Sequence, residues 1–172
     1  NRAVVISRAS PEKALAELNK IDRSVLTPSE QVDVCKNIII LAEKVRRFDE
    51  ARRATNALLL ILEIKPEDRT FALEHRVYLA ELTLDFKTAF DTAKDMPQTN
   101  TDSYWLKMAL LAELAGSPSD FYYEKFMSLT TDQQRSEVIA EKIIAASQNP
   151  FKEIERYKTR FKNSPEKLAA LY

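Results

Sequence analysis

The sequence predicts an all-α fold, and three observations carry that prediction. The first is a single glycine, Gly116, among 172 residues. Tight β-turns draw on glycine for backbone with φ > 0, so a β-sandwich or barrel built from this chain would lack its turns. A P-loop or dinucleotide-binding glycine fingerprint cannot be assembled either. The second is that five of the seven prolines follow Ser, Thr or Asn. Such a side chain caps a free backbone N–H, and proline at the first helical position gives up only an N–H that had no partner. The third is that apolar residues recur at i, i+3, i+4 and i+7 rather than at alternate positions.

These marks predict about ten helices. Residues 2–9 read as the last half of a first helix. Ser10-Pro11 opens the next, 11–21, with Leu15, Leu18 and Ile21 on one stripe. Thr27-Pro28 opens 28–46, where Thr27 and Glu30 form a capping box and Val34, Ile38, Leu41 and Val45 form the stripe. A helix over 48–64 follows, then 67–84 with Leu73, Val77, Ala80 and Leu84, then 86–95. Pro66 and Pro97 close the runs before them. Helix 102–115 carries Leu106, Ala109, Leu110 and Leu114, and Ser117-Pro118 opens 118–128. Thr130 and Gln133 suggest a second capping box ahead of 132–147, with Val138, Ile139, Ile143 and Ile144. Asn149-Pro150 opens 150–162, with Phe151, Ile154, Tyr157 and Phe161, and Ser164-Pro165 starts one more over 165–172. Ile38-Ile39-Ile40 and Leu58-Leu59-Leu60 read as strand cores in isolation, but their flanks extend the helical period.

Composition narrows the function classes. Hydrophobic residues make up 45% of the chain, ordinary for a folded domain. Lys+Arg and Asp+Glu are both 26, so the formal net charge is zero and gives no support for nucleic-acid binding. One cysteine, Cys35, forbids an internal disulfide. The longest apolar run, Ala57 to Leu62, is far short of a membrane span, and NRAVVISRAS has no signal-peptide core. A soluble chain is expected, in a compartment that the sequence leaves open.

The helices pair across tight turns. The second helix of each pair starts at Pro11, Phe48, Phe86, Pro118 and Pro150, spaced 37, 38, 32 and 32 residues apart. That is the range of helix-turn-helix solenoids. RFDEARRA (Arg47 to Ala54) places Phe48 and small Ala51 at the start of a second helix, and DFKTAFDTA (Asp85 to Ala93) repeats this with Phe86 and Ala89. SPEKALAEL repeats it with Pro11, Ala14 and Leu18, and Trp105, Met108, Ala109 and Ala112 recur at first-helix spacing ahead of Gly116. In these features the chain resembles the tetratricopeptide (TPR) repeat family. It departs from the family pattern at Ile39 and Val77, which fill a small first-helix position. Helix 48–64 is also about three residues long for the family, and Phe121 and Glu153 stand where the last two units should carry alanine.

The resemblance implies an antiparallel helix-hairpin solenoid with a right-handed superhelical twist, one domain over 1–172, whose first helices line a concave face. In the family's register that face holds Lys36, Ile40 and Glu43, then Phe71, Glu74, Tyr78 and Glu81, then Leu106, Leu110 and Glu113. A carboxylate clamp of lysines and asparagines is not implied, since only Lys36 and Asn37 fit it. The expected function is an interaction scaffold or adaptor that binds a protein or peptide segment. A structural or self-associating subunit, or a piece of a longer array, is the alternative. An enzyme is the weakest reading, because no carboxylate pair stands out from the solvated faces. No cofactor, metal, nucleic acid or membrane span is expected.

Other conspicuous residues have plainer readings. His75, the only histidine, is expected on a polar helix face, and Cys35 as a small buried hydrophobe. Lys44, Arg46, Arg47, Arg52 and Arg53 cluster around one turn, where Lys44, Arg46 and Arg47 complement a helix C-terminus and Asp49 and Glu50 the next N-terminus, with an acidic-peptide or phosphate site as the competing reading. In DFYYEKF, Phe121, Tyr122 and Phe126 are expected to share a packed face, with Tyr123 pointing elsewhere. Helix 150–162 reads as basic and amphipathic with a solvated outer face, membrane-surface or helix binding being the alternative. Ser-Pro-Glu-Lys occurs at 10–13 and 164–167 but out of phase with the pairs, so it reads as a helix-start signal rather than a repeat.

Overall fold

The computed structural model describes residues 10–172, so the helix expected over 2–9 lies outside the described residues. The described residues are helical and contain no strand. The chain divides into two compact units, Asn1–Gln98 and Thr99–Tyr172.

In the first unit α1 (Pro11–Leu18) leads through a 3-10 turn (Arg23–Val25) to α2 (Pro28–Lys44). Ser10 accepts from the N–H of Lys13 at the start of α1, and Thr27 and Glu30 close the capping box of α2 in both directions. Then come α3 (Phe48–Leu59), α4 (Pro66–Leu82) and α5 (Phe86–Lys94). Each helix packs chiefly on the next, and α2 also touches α4. Leu15, Ile39 and Leu58 are fully buried and draw α1, α2 and α3 into one core.

Two expected helices end early. α1 stops at Leu18, and Ile21 is exposed. α3 stops at Leu59 rather than near residue 64. The apolar run continues, but as a turn in which Ile61 and Ile64 pack on the core while Leu60 and Leu62 face out. Pro66 does not merely close α3; it is the first residue of α4.

The second unit holds α6 (Asp102–Leu114), α7 (Asp120–Leu129), α8 (Gln133–Ala146), α9 (Pro150–Tyr157) with a 3-10 extension (Lys158–Phe161), and α10 (Pro165–Leu171). Phe126, Ile154 and Phe161 are its fully buried anchors. Asn149 caps α9 through the N–H of Lys152. Two start signals shift here. α7 begins at Asp120, two residues beyond Pro118, and the box expected at Thr130 does not form. Asp132 caps α8 instead, while the Thr130 hydroxyl accepts from the N–H of Asp132.

One closure recurs three times. The N–H of Arg47 bonds the carbonyl of Ala42, that of Asp85 bonds Ala80, and that of Ser117 bonds Ala112, at 2.7, 2.9 and 2.8 Å. The residue before each donor sits in the left-handed region: Arg46 at φ 59°, Leu84 at 58° and Gly116 at 66°. This six-to-one bond is the Schellman closure, which satisfies carbonyls a helix end leaves free. Ala42, Ala80 and Ala112 are buried, and they stand 38 and 32 residues apart.

Candidate functional site

The first-unit residues expected to line a binding face lie at helical spacing along α2 and α4. Lys36 Nζ reaches Asp68 Oδ1 at 2.7 Å and lies 5.0 Å from the centre of the Phe71 ring. Phe71 packs on His75, with ring centres 4.2 Å apart. Glu43 Oε1 lies 2.7 Å from His75 Nδ1. The order Lys36, Asp68, Phe71, His75, Glu43 thus forms a ladder that ties α2 to α4 over two turns. His75 is therefore half-buried and bonded, not a free surface histidine. Partly exposed ion pairs contribute only about 0–1 kcal/mol each, so the ladder matters more for setting the two helices' register than for stability.

Three of the expected residues are occupied by this ladder, and the others frame it. Ile40 is 50% exposed and Tyr78 is 46% exposed. Glu74 is exposed beside Tyr78, and Glu81 is partly buried. The face therefore presents an aliphatic and an aromatic side chain on a braced base, with Glu74 at its edge.

The second-unit residues sit on α6. Leu106 is partly buried against the unit's core, and Leu110 is 43% exposed. Glu113 Oε2 accepts from the Tyr123 hydroxyl at 2.6 Å and pairs closely with Lys142 Nζ. Lys142 Nζ also lies 3.1 Å from the Tyr123 hydroxyl. The Lys142 ammonium, then the Tyr123 hydroxyl, hold the Glu113 carboxyl below its ordinary value, and Glu113 raises Lys142 in return. Burial, then the Glu113 carboxylate, raises Tyr123. This cluster binds α6, α7 and α8 together.

Glu43 and Glu113 occupy the same place, one residue after the alanine of the Schellman closure. Each reaches a basic side chain on the next first helix, His75 of α4 or Lys142 of α8. The sequence shows the glutamates but not their partners, which lie 32 and 29 residues on.

In the aromatic stretch Phe126 is buried and Tyr122 partly buried, as expected, but Phe121 and Tyr123 exchange places. Tyr123 is buried at 3% exposure, while Phe121 is 56% exposed. The reason is the late start of α7. Ala51 and Ala89 are the fourth residues of α3 and α5, and Tyr123 is the fourth residue of α7. Trp105 meets Phe121 edge-on and stacks on Tyr122, with centres 5.9 and 6.3 Å apart. Cys35 is buried at 1% exposure. Among the described residues, no group of three His, Cys, Asp or Glu side chains could hold a metal ion, and no helix is long and apolar enough to cross a membrane.

Compared with family models, curated proteins and solved structures, the chain matches none.

Proposed function

We propose that the helix pairs are degenerate TPR-like units and that the chain is an interaction scaffold binding a protein or peptide segment along its first helices. The observation that carries this reading is the braced face of α2 and α4, with Ile40 and Tyr78 standing exposed above the Lys36-to-Glu43 ladder. Exposed apolar and aromatic side chains on a rigid base suit a partner, because binding then costs little ordering of the surface. The threefold Schellman closure supports the unit-by-unit register, and Leu110 is the matching exposed residue of α6.

The test is a pull-down with Tyr78→Asp and Leu110→Asp. Both side chains are exposed, so the fold should survive, and loss of at least about ten-fold in captured partner is expected from burying an unpaired charge at a contact. Capture unchanged by both substitutions would make the face assignment wrong.

A second reading, self-association, is favoured by Leu60 and Leu62, which stand 81% and 83% exposed in the turn after α3. Sedimentation would show a mass that rises with concentration and returns to monomer in a Leu60→Ser, Leu62→Ser variant. A monomer at all concentrations would dismiss it.

A further inference from the structure

A cleft of about 280 Å³ opens between the end of α1, the 3-10 turn and the α2–α3 pair. It is lined by Asn19, Arg23, Ile38, Glu50, Arg53 and Ala54. Ile38 and Ala54 are each 3% exposed and make an apolar floor. Arg23 and Arg53 are exposed on its walls.

The charges around the cleft do not cancel. Glu50 is its only lining carboxylate, and both of its oxygens are occupied. Asn19 Nδ2 donates to one at 2.9 Å, and Arg47 Nη1 lies 3.1 Å from the other. Arg52 is paired with Asp49 at 2.7 Å. Among the described residues Arg23 donates to the Cys35 sulfur, at 3.7 Å. Among the described residues no carboxylate pairs with Arg23 or Arg53. With Arg47 offset by Glu50, two guanidinium charges remain at one apolar-floored opening.

Two guanidiniums present planar donor forks that match phosphate oxygens, and a phosphorylated side chain carries nearly two negative charges at neutral pH. We infer that this cleft binds a phosphorylated side chain of a protein partner. Arg23 and Arg53 hold the phosphate, and Ile38 and Ala54 take the stem that carries it. Asn19 has its amide already directed at Glu50, so it frames the opening rather than serving as the phosphate ligand.

This site goes beyond the face proposed above and does not depend on it. Ile38 and Ile40 lie about 160° apart around α2, so the cleft and that face occupy different sides of the helix. The Tyr78→Asp variant should bind the phosphate probe like the parent, so either idea can fail alone.

The experiment titrates the full chain, labelled for amide NMR, with a degenerate peptide library carrying one fixed phosphoserine. Unphosphorylated and glutamate counterparts and inorganic phosphate are titrated in parallel. The proposal expects saturable shifts confined to the cleft lining, around residues 19–23, Ile38 and 50–54. Arg23→Gln and Arg53→Gln should each weaken binding by about ten-fold, and Arg46→Gln should leave it unchanged. Mapping on the parent chain gives a result even if a variant misfolds. The proposal is overturned if no probe saturates, or if the unphosphorylated or glutamate peptides bind as well. It also fails if inorganic phosphate binds as tightly as the peptide, or if Arg46→Gln weakens binding equally.

Discussion

Arg46, Leu84 and Gly116 share one backbone conformation but not one side chain. Only glycine enters the left-handed region without a Cβ penalty, so two of the three closures carry local strain. Neither Arg46 nor Leu84 compensates through burial, since both side chains are exposed. Arg46→Gly and Leu84→Gly should therefore each raise stability by about 0.5–1 kcal/mol in urea denaturation. Gly116→Ala should lower it by about 1 kcal/mol. A Cβ there would meet nothing within 4 Å, so the loss would be conformational rather than steric. Equal midpoints for all three variants would show that the closures carry no strain.

At the scale of elements, single side chains hold neighbouring first helices in place. Glu113 joins α6 to α8 through Lys142 and to α7 through Tyr123. Its carboxyl is held below the ordinary value of 4.5. A carboxyl whose folded pKa lies below its unfolded one stabilises the fold above the unfolded value. That contribution fades as pH falls through the folded value. Glu113→Gln should cost about 0.5–1 kcal/mol at neutral pH, allowing for solvent screening of a half-exposed pair. The gap from the parent should close as pH drops below 4.5, in urea midpoints taken across the acid range. A gap that persists in acid would mean the residue acts through packing instead.

At the scale of the molecule, each unit has its own buried core, and the single tryptophan, Trp105, belongs to the second. Its fluorescence is a reporter for that unit. Phe126 is fully buried in the same core cluster, so Phe126→Ala should leave a cavity and lower the fluorescence-monitored stability by about 3–5 kcal/mol. A loss below about 1 kcal/mol would mean that the core collapses to fill the space.

Helix identity was legible along the chain because capping and 3.6-residue periodicity are local. Nine of the expected helices appear, as does the one starting at Pro165. Misplaced ends such as Leu60–Ile64 and Pro118 arose where an apolar run or a Ser-Pro pair serves a turn. Of the residues proposed for binding, the exposure of Ile40 and Tyr78 in the first unit and of Leu110 in the second was legible in the helical spacing. The links from Lys36 to Asp68 and from Glu43 to His75 were not, because no local pattern specifies a partner about thirty residues away. The two Ser-Pro-Glu-Lys segments show the division most directly. Both open helices, since proline and the residue before it act within one turn. Ser10 accepts from the N–H of Lys13 and caps its own helix. Ser164 makes no such cap; its hydroxyl donates to Glu137 of α8, which Lys167 also reaches. The same four residues determine a helix start by themselves. Only the buried carboxylate of Glu137, brought there by the packing of α8 on the 3-10 segment just ahead of Ser164, decides what the second serine bonds.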